Sequence, residues 1–203
     1  EIESNPKKGT KESRIKRNQQ FNYIKQMREY YIEQNNPIIS TDAKKRELVG
    51  NFRNSGVIWC TDSKKVNVYD FRSSADGVFI PYGIYNTTRN TGFVVGGISY
   101  NTAEFAVNSI EKWWLMEGND MYSKQKSLLI LADGGGSNSS SNKMWKLCIQ
   151  KTLCDKYDLN ITVCHYPPGT SKYNPIEHRL FSEISNNWAG APLQDYDTIF
   201  NYI

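Results

Sequence analysis

Apolar residues recur at helical spacing near the start of the chain. Over "NQQFNYIKQMREYYIEQ", five of them share one face of a predicted amphipathic helix. These residues are Phe21, Ile24, Met27, Tyr31 and Ile32. The Asn-Asn-Pro that follows ends the helix, because proline cannot continue it. We therefore predict one helix between a polar N-terminal stretch and the rest of the chain.

The most regular helical pattern lies in "NTAEFAVNSIEKWWLM". Its apolar stripe comprises Ala103, Ala106, Val107, Ile110 and Trp114. Asn101 and Glu104 have the spacing of a capping box, in which two side chains bond each other's backbone N–H groups. We interpret the stripe as core packing and not as a ligand surface.

Several other stretches carry the short β-rich runs that are typical of strands. "PIISTDAKKRELVGNF" predicts a strand, a break and a second strand, and "KVNVYDF" alternates its apolar residues. "VFIPYGIYNTTRNTGFVVGGIS" predicts a hairpin that turns near Asn90. "SLLILAD" and "NITVCHY" predict two later strands, and the first of these is apolar enough to be buried on both faces.

Helical patterns alternate with the later strands. "NKMWKLCIQKTLCDKY" separates the two strands, and "PIEHRLFSEISNNW" predicts a last helix. Strands joined by helical crossovers are parallel, whereas hairpin strands are antiparallel. The order therefore predicts an α/β fold with a mixed sheet flanked by helices.

Charge is distributed unevenly along the 203 residues. Residues 1–46 carry eleven Lys and Arg against six Asp and Glu, whereas the remainder carries 14 against 15. A basic arm beside a near-neutral body is typical of chains that contact phosphate backbones, although a solvated tail explains the charge equally well. No apolar run approaches the roughly 20 residues of a membrane helix, and no signal peptide is visible, so we expect a cytoplasmic protein.

The cysteines do not form a recognisable framework. Cys60, Cys148, Cys154 and Cys164 include no CxxC pair, which argues against a zinc ribbon and against a disulfide scaffold. We predict buried free thiols. A metal site that combines Cys60, Cys164 and His165 stays open as the less favoured alternative.

Asp133 is the first candidate for chemistry. It ends the most apolar predicted strand and precedes three glycines, Gly134 to Gly136. Binding sites in α/β sheets collect at the carboxyl ends of parallel strands. The glycines let backbone approach a ligand, but the Lys-Ser/Thr of a phosphate-binding P-loop is missing. Asp133 is therefore a candidate metal ligand.

Other acids could complete such a site. Glu177 is the third helical position after Asn174 and Pro175, so a capping box explains it about as well as a functional role. Asp42 follows an apolar run, and the local pattern gives it only a small lead over Asp70. Three acids from distant segments can bind two divalent cations such as Mg²⁺ or Mn²⁺, which together catalyse phosphodiester chemistry.

Six blocks of sequence resemble a known family. They are "STDAKKRELVGNF", "IPYGIYNTTRNTGF", "TAEFAVNSIEKWW", "LLILADGGGSN", "ITVCHYPPGTSKYNPIEHRLFS" and "NNWAGAPL". Together they resemble the catalytic domain of bacterial insertion-sequence DDE transposases of the Rhodopirellula type. The resemblance covers about residues 35–203, and it is specific because long blocks occur in the same order.

The resemblance implies a ribonuclease H-like DDE catalytic domain over residues 35–203, preceded by a basic linker and helix over residues 1–34. It implies that Asp42, Asp133 and Glu177 are both the catalytic residues and the ligands of two Mg²⁺ or Mn²⁺ ions. The resemblance thereby favours Asp42 over Asp70 as the first of the three acids. The implied activity is cleavage at the ends of an insertion sequence and joining of the 3′-hydroxyl to target DNA, by a self-associated complex near the nucleoid.

Basic residues near the acids are candidates for phosphate contacts. They are Lys44, Lys45, Arg46, Lys172 and Arg179. His178 is a candidate to support Glu177, and we interpret His165 as structural. Two rival functions remain: a decayed transposase that binds DNA or a partner without chemistry, and a nuclease of the same fold that cleaves without joining.

Overall fold

A computed structural model describes residues 11–63 and 65–203, with side chains from residue 14 onwards in these ranges. The strands are β1 (Ile38–Ala43), β2 (Glu47–Val49), β3 (Gly77–Asn86), β4 (Thr91–Gly97), β5 (Ser127–Ala132) and β6 (Asn160–His165). The helices are α1 (Lys11–Glu33), α2 (Ala103–Trp113), α3 (Asn119–Met121), α4 (Lys143–Ile149), α5 (Asp155–Tyr157), α6 (Ser182–Trp188) and α7 (Tyr196–Asn201). The π-helical segments Trp114–Gly118 and Gln150–Cys154 join α2 to α3 and α4 to α5, and Glu177–Phe181 leads into α6.

The strands form one mixed sheet in the spatial order β4, β3, β1, β5, β6. β3 is antiparallel to β4 and to β1, whereas β1 and β5, and β5 and β6, are parallel. β2 continues the line of β1 along β3, since the Ala43–Tyr82 pair is followed by Glu47–Phe79. The predictions of a mixed sheet, of the hairpin and of parallel later strands are confirmed.

Helices α2 and α4 cover one face of the sheet. Ile39 and Ile130 point to this face and pack in a cluster with Trp113 and Trp145. All five residues of the predicted apolar stripe are buried here, as expected. The predicted cap is wrong, because the chain stays extended through Thr102, whose hydroxyl accepts the backbone N–H of Phe105 at 3.1 Å.

Helix α1 covers part of the opposite face. Its buried Ile24 and Tyr31 pack on Ile38 and Leu131, which alternation directs away from α2 and α4. Ile32, predicted on the same stripe, is 52% exposed because it lies one position round the helix from Tyr31. The predicted linker falls mostly outside the described residues, and the boundary between residues 34 and 35 stays a prediction.

Helix α6 covers the rest of that face. Its Ile184 and Trp188, together with Phe181, pack against Phe79 and Tyr85 of β3. We call the side of the sheet that carries α1 and α6 the α1/α6 face. The two covered faces make the sheet a buried layer with helices on both sides.

Two segments differ from the sequence prediction. "KVNVYDF" forms no strand: its only ladder contact is an isolated bridge between Asn67 and Phe52. Its alternating valines thus lie in an exposed loop, where Val68 is 73% exposed. Helix α7 was not predicted from its short pattern, and it begins where the Asp195 carboxylate accepts the backbone N–H of Thr198 at 2.6 Å.

The cysteines are free thiols, as predicted, but they are not uniformly buried. Cys164 is buried in β6, Cys148 and Cys154 are half-buried, and Cys60 is exposed. The prediction of burial is wrong for Cys60 because its segment lies outside the sheet. In the part of the chain that the structure describes, no helix is long and apolar enough to cross a membrane.

Candidate active site

Two of the predicted acids stand side by side at the ends of neighbouring parallel strands. Thr41 of β1 pairs with Ala132 of β5, so the next residues, Asp42 and Asp133, lie at the same level of the sheet. Alternation places both on the α1/α6 face. Both carboxylates are half-buried.

The third acid reaches this place from above the sheet. Glu177 begins the π-helical segment that leads into α6, and its neighbour Ile176 is fully buried against the sheet. Glu177 is itself half-buried, and its charge interacts with that of Asp133. The charge of Asp42 interacts with both of these carboxylates. The fold therefore brings together three acids that are far apart in sequence.

The acids shift one another's protonation. Burial first, and then the charges of Asp133 and Glu177, raise the pKa of Asp42 to about 7. The Ala43 N–H, which donates a hydrogen bond to Asp42 Oδ1 at 2.7 Å, acts in the lowering direction. Burial also raises the pKa of Glu177, while His178 and Lys44 lower it. Nearby negative charge at a half-buried place is what a bound cation would offset.

A divalent cation fits the chemistry of these donors. Carboxylate oxygens are the ligands that Mg²⁺ and Mn²⁺ prefer, and Asp42, Asp133 and Glu177 supply them from a sheet and a packed helix. Within residues 11–63 and 65–203, no group of three His, Cys, Asp or Glu side chains is placed so that it could already hold a metal ion. The fit therefore rests on the donor type and on the mutual repulsion of the acids.

A glycine allows the Glu177 segment to approach the sheet. Gly83 pairs directly with Asp42 across β3 and β1, so a side chain there would point to the α1/α6 face. A Cβ atom at Gly83 would lie 2.6 Å from Phe181, 2.8 Å from Ile176 and 3.1 Å from Leu180. The missing side chain thus sets how close Glu177 comes to Asp42.

Gly83→Ala is therefore expected to lower the free energy of unfolding by about 1–3 kcal/mol, because the added methyl overpacks a tight contact. Urea denaturation monitored by fluorescence measures this loss. Gly134→Ala is the matched control, since a Cβ there meets only the Tyr166 backbone oxygen, at 3.7 Å. Equal stability of the two variants would contradict the role given to Gly83.

A buried hydrogen bond between two side chains joins the loop before Glu177 to β1. The Ser40 hydroxyl donates to the Asn174 side-chain oxygen, and both residues are fully buried. The capping box that was the alternative explanation of Glu177 is absent, because the Asn174 side chain bonds Ser40 and it is the Asn174 backbone oxygen that accepts the Glu177 N–H, at 3.2 Å. Ser40 lies two residues before Asp42, so the bond ties two parts of the site together.

The glycine loop after Asp133 is fixed by Asn138. The buried Asn138 accepts the Tyr82 hydroxyl on its side chain at 3.1 Å, and its backbone oxygen accepts His165 Nε2–H at 2.7 Å. Within the loop, the Gly135 N–H donates to Asp133 Oδ1 at 3.2 Å. His165 has the structural role that the sequence predicted, whereas Asn138 and Tyr82 were missed because no local pattern marks long-range partners.

The predicted basic residues divide into those near the acids and those further away. Lys44 is half-buried, 3.9 Å from Glu47, and close enough to Glu177 to lower its pKa. Lys172 and Arg179 are exposed near the start of the Glu177 segment. His178 is also exposed and donates through Nε2–H to the Lys172 backbone oxygen at 2.6 Å.

The rival acid lies elsewhere. Asp70 lines a cavity beside Lys45 and Arg46, which are both exposed, and it is not among the groups that perturb Asp42. The structure therefore separates the two acids that the local pattern could not separate. Contacts of these basic residues with DNA stay a prediction.

The arrangement agrees with a family of known proteins. A family model described as the Rhodopirellula transposase DDE domain matches residues 1–203. The chain belongs to this family. A comparison with curated protein sequences finds no match to this DDE domain.

Solved transposases share the fold of this DDE domain. A Mos1 transposase paired-end complex with the left transposon end has a TM-score of 0.59 at 11% identity, over 100% of this chain and 57% of that one. A mariner Mos1 paired-end complex with Mg has a TM-score of 0.62 at 10% identity, over 100% of this chain and 58% of that one. The predicted ribonuclease H-like fold is confirmed. The chain spans a little over half the length of these transposases.

Proposed function

We propose that this chain is the catalytic domain of a DNA transposase that cleaves and joins strands at the ends of an insertion sequence with two divalent ions. The observation that carries the proposal is the position of Asp42 and Asp133 at adjacent parallel strand ends, with Glu177 packed over them. Membership of the DDE family and the likeness to Mos1 complexes described with a transposon end and with Mg support it.

Asp42, Asp133 and Glu177 would hold Mg²⁺ or Mn²⁺ through carboxylate oxygens. When bound, two such ions activate the attacking oxygen and stabilise the leaving oxygen of a phosphodiester. The chain itself contributes position: β1 and β5 fix two acids at one level, and the tight contact at Gly83 sets the distance of the third. This preorganisation avoids reorganising the ligands during reaction.

DNA is the proposed partner. Lys44 lies beside the acids, and Lys172 and Arg179 flank the Glu177 segment, where each could meet a backbone phosphate. Because an insertion sequence has two ends and this chain offers one candidate site, we also propose that copies of the chain associate on DNA. The proposed location is the bacterial cytoplasm, at the nucleoid.

Nicking of supercoiled plasmid by the purified chain tests the proposed chemistry. We expect relaxed and linear products with Mn²⁺ or Mg²⁺ and none with EDTA, because the acids alone cannot stabilise the leaving oxygen. Agarose gels quantify the products, and calorimetry of Mn²⁺ binding provides a readout that does not depend on turnover. Nicking that persists in EDTA, or an absence of Mn²⁺ binding, would contradict the proposal.

The two rival functions give different results in the same assays. A decayed transposase would bind DNA with a steep salt dependence and without any need for metal. A nuclease of the same fold would nick plasmid but would not join a 3′-hydroxyl end to a second DNA. The retention of three mutually repelling acids at one place favours a metal-dependent enzyme over a decayed transposase, since repulsion without a cation only costs stability. Membership of the DDE family favours the transposase over the nuclease.

A further inference from the structure

A second concentration of charge lies in a cavity of about 230 Å³ next to β2, apart from the three acids. Four cationic side chains line it, from three separate parts of the chain: Lys45, Arg46, Arg53 and Arg72. All four are exposed to solvent. We call this cavity the basic pocket.

The basic pocket has an excess of positive charge. Its acids are Glu47 and Asp70, and Glu47 already pairs with Lys44 at 3.9 Å. Among the residues that the structure describes, none of the four cations of the pocket forms an ion pair. Asp70 alone therefore faces four positive charges, and the pocket attracts anions.

The walls of the pocket are held in place by backbone bonds. The Gly50 N–H donates to the Leu193 oxygen at 2.8 Å, and the Arg53 N–H donates to the Asn67 oxygen at 3.2 Å. Phe52 and Leu193 are buried and form the floor. The cations therefore project from a fixed frame, so binding would not require this segment to fold.

The position of the pocket connects it to the acids. Asp42 and Glu47 are five residues apart along β1 and β2, which at about 3.3 Å per residue is at most roughly 17 Å. One strand of B-form DNA carries a phosphate about every 3.4 Å along the axis. A strand held at the acids would thus bring its phosphates within reach of the pocket after about five nucleotides.

We propose that the basic pocket binds backbone phosphates of the DNA strand that leaves the three acids. The proposal rests on the proposed function, which supplies the DNA. Guanidinium groups favour phosphate because their paired N–H donors match two phosphate oxygens, and three of the four cations that line the pocket are arginines. All four cations are exposed to solvent, so the phosphates of a passing polymer can reach them.

The test compares salt dependence between charge-matched double variants. Binding of a fluorescein-labelled DNA duplex is measured by anisotropy in EDTA over a series of KCl concentrations. Arg53→Ala/Arg72→Ala is expected to flatten the plot of log affinity against log salt by about 2, since each phosphate contact contributes about 0.9. Lys112→Ala/Lys151→Ala removes the same charge from exposed positions on the α2/α4 side, and it should leave the slope unchanged.

A conservative variant separates charge from structure. Arg53→Lys/Arg72→Lys keeps both charges, so it should retain a slope close to that of the wild type. Circular dichroism verifies that each variant is folded. The proposal would be overturned if Arg53→Ala/Arg72→Ala and Lys112→Ala/Lys151→Ala had the same slope of log affinity against log salt, or if the wild type did not bind DNA. Because the binding measurements contain no metal, a failure of plasmid nicking would not affect their result. Plasmid nicking together with an unchanged salt slope in Arg53→Ala/Arg72→Ala would reject phosphate binding by the basic pocket but not the proposed function.

Discussion

Asp133→Asn is expected to lower the rate of Mn²⁺-dependent DNA cleavage by about three orders of magnitude while the chain stays folded. Asparagine has nearly the same shape, and its side-chain oxygen can still accept the Gly135 N–H. It lacks the negative charge that holds a divalent cation. Loss of several kcal/mol of charge stabilisation corresponds to a factor of about 10³, because each 1.36 kcal/mol is tenfold in rate.

The matched control for this experiment is Asp70→Asn. It makes the same chemical change at an acid that lies in the basic pocket, away from the three acids. We expect cleavage to be retained, and calorimetry should show weakened Mn²⁺ binding only for Asp133→Asn. Cleavage by Asp133→Asn at the wild-type rate would remove this residue from the proposed site. Loss of cleavage in Asp70→Asn would restore Asp70 as an alternative to Asp42.

The architecture was predictable because its signals are local. "LLILA" is apolar at every position before Asp133, and such a short continuous run is typical of a strand that is covered on both faces. The change from alternating to helical spacing after the hairpin places a crossover, and with it the parallel part of the sheet. "KVNVYDF" misled the prediction because alternation alone does not bring a partner strand.

The candidate site was predictable only in its acids. A carboxylate at the end of an apolar strand marks Asp133, but the separation of Asp42 from its rival needed the resemblance to a family. The residues that assemble the site act over long sequence distances: Ser40 bonds Asn174, and Gly83 receives the Glu177 segment. Such contacts depend on the packed fold, and a single sequence carries no pattern for them.

Protonation of Asp42 is expected to make the free energy of unfolding depend strongly on pH. Its pKa of about 7 in the folded chain is above the ordinary value of 3.8, so the folded state retains a proton that the unfolded chain has lost. The stability associated with Asp42 is therefore fully present below about pH 4 and is lost as pH rises to about 7. A difference of about three pKa units corresponds to roughly 4 kcal/mol.

Asp42→Asn removes this dependence, since asparagine does not titrate. Relative to the wild type, the variant is expected to gain about 3–4 kcal/mol in free energy of unfolding between pH 4 and pH 8. Urea denaturation in EDTA across this range measures the gain, with the exposed Asp120→Asn as the control for loss of one charge. If the free energy of unfolding changed with pH in the same way for the wild type and for Asp42→Asn, the expectation would be contradicted.

Divalent metal should stabilise the wild type more than it stabilises Asp42→Asn. Mg²⁺ binds the ionised carboxylates, so at pH 8 it should raise the stability of the wild type and narrow its difference from Asp42→Asn. A gain of the same size in both proteins would show that the ion binds elsewhere. The proposal therefore links stability to function: the repulsion among Asp42, Asp133 and Glu177 destabilises the metal-free fold, and its relief would provide part of the binding energy for the ions.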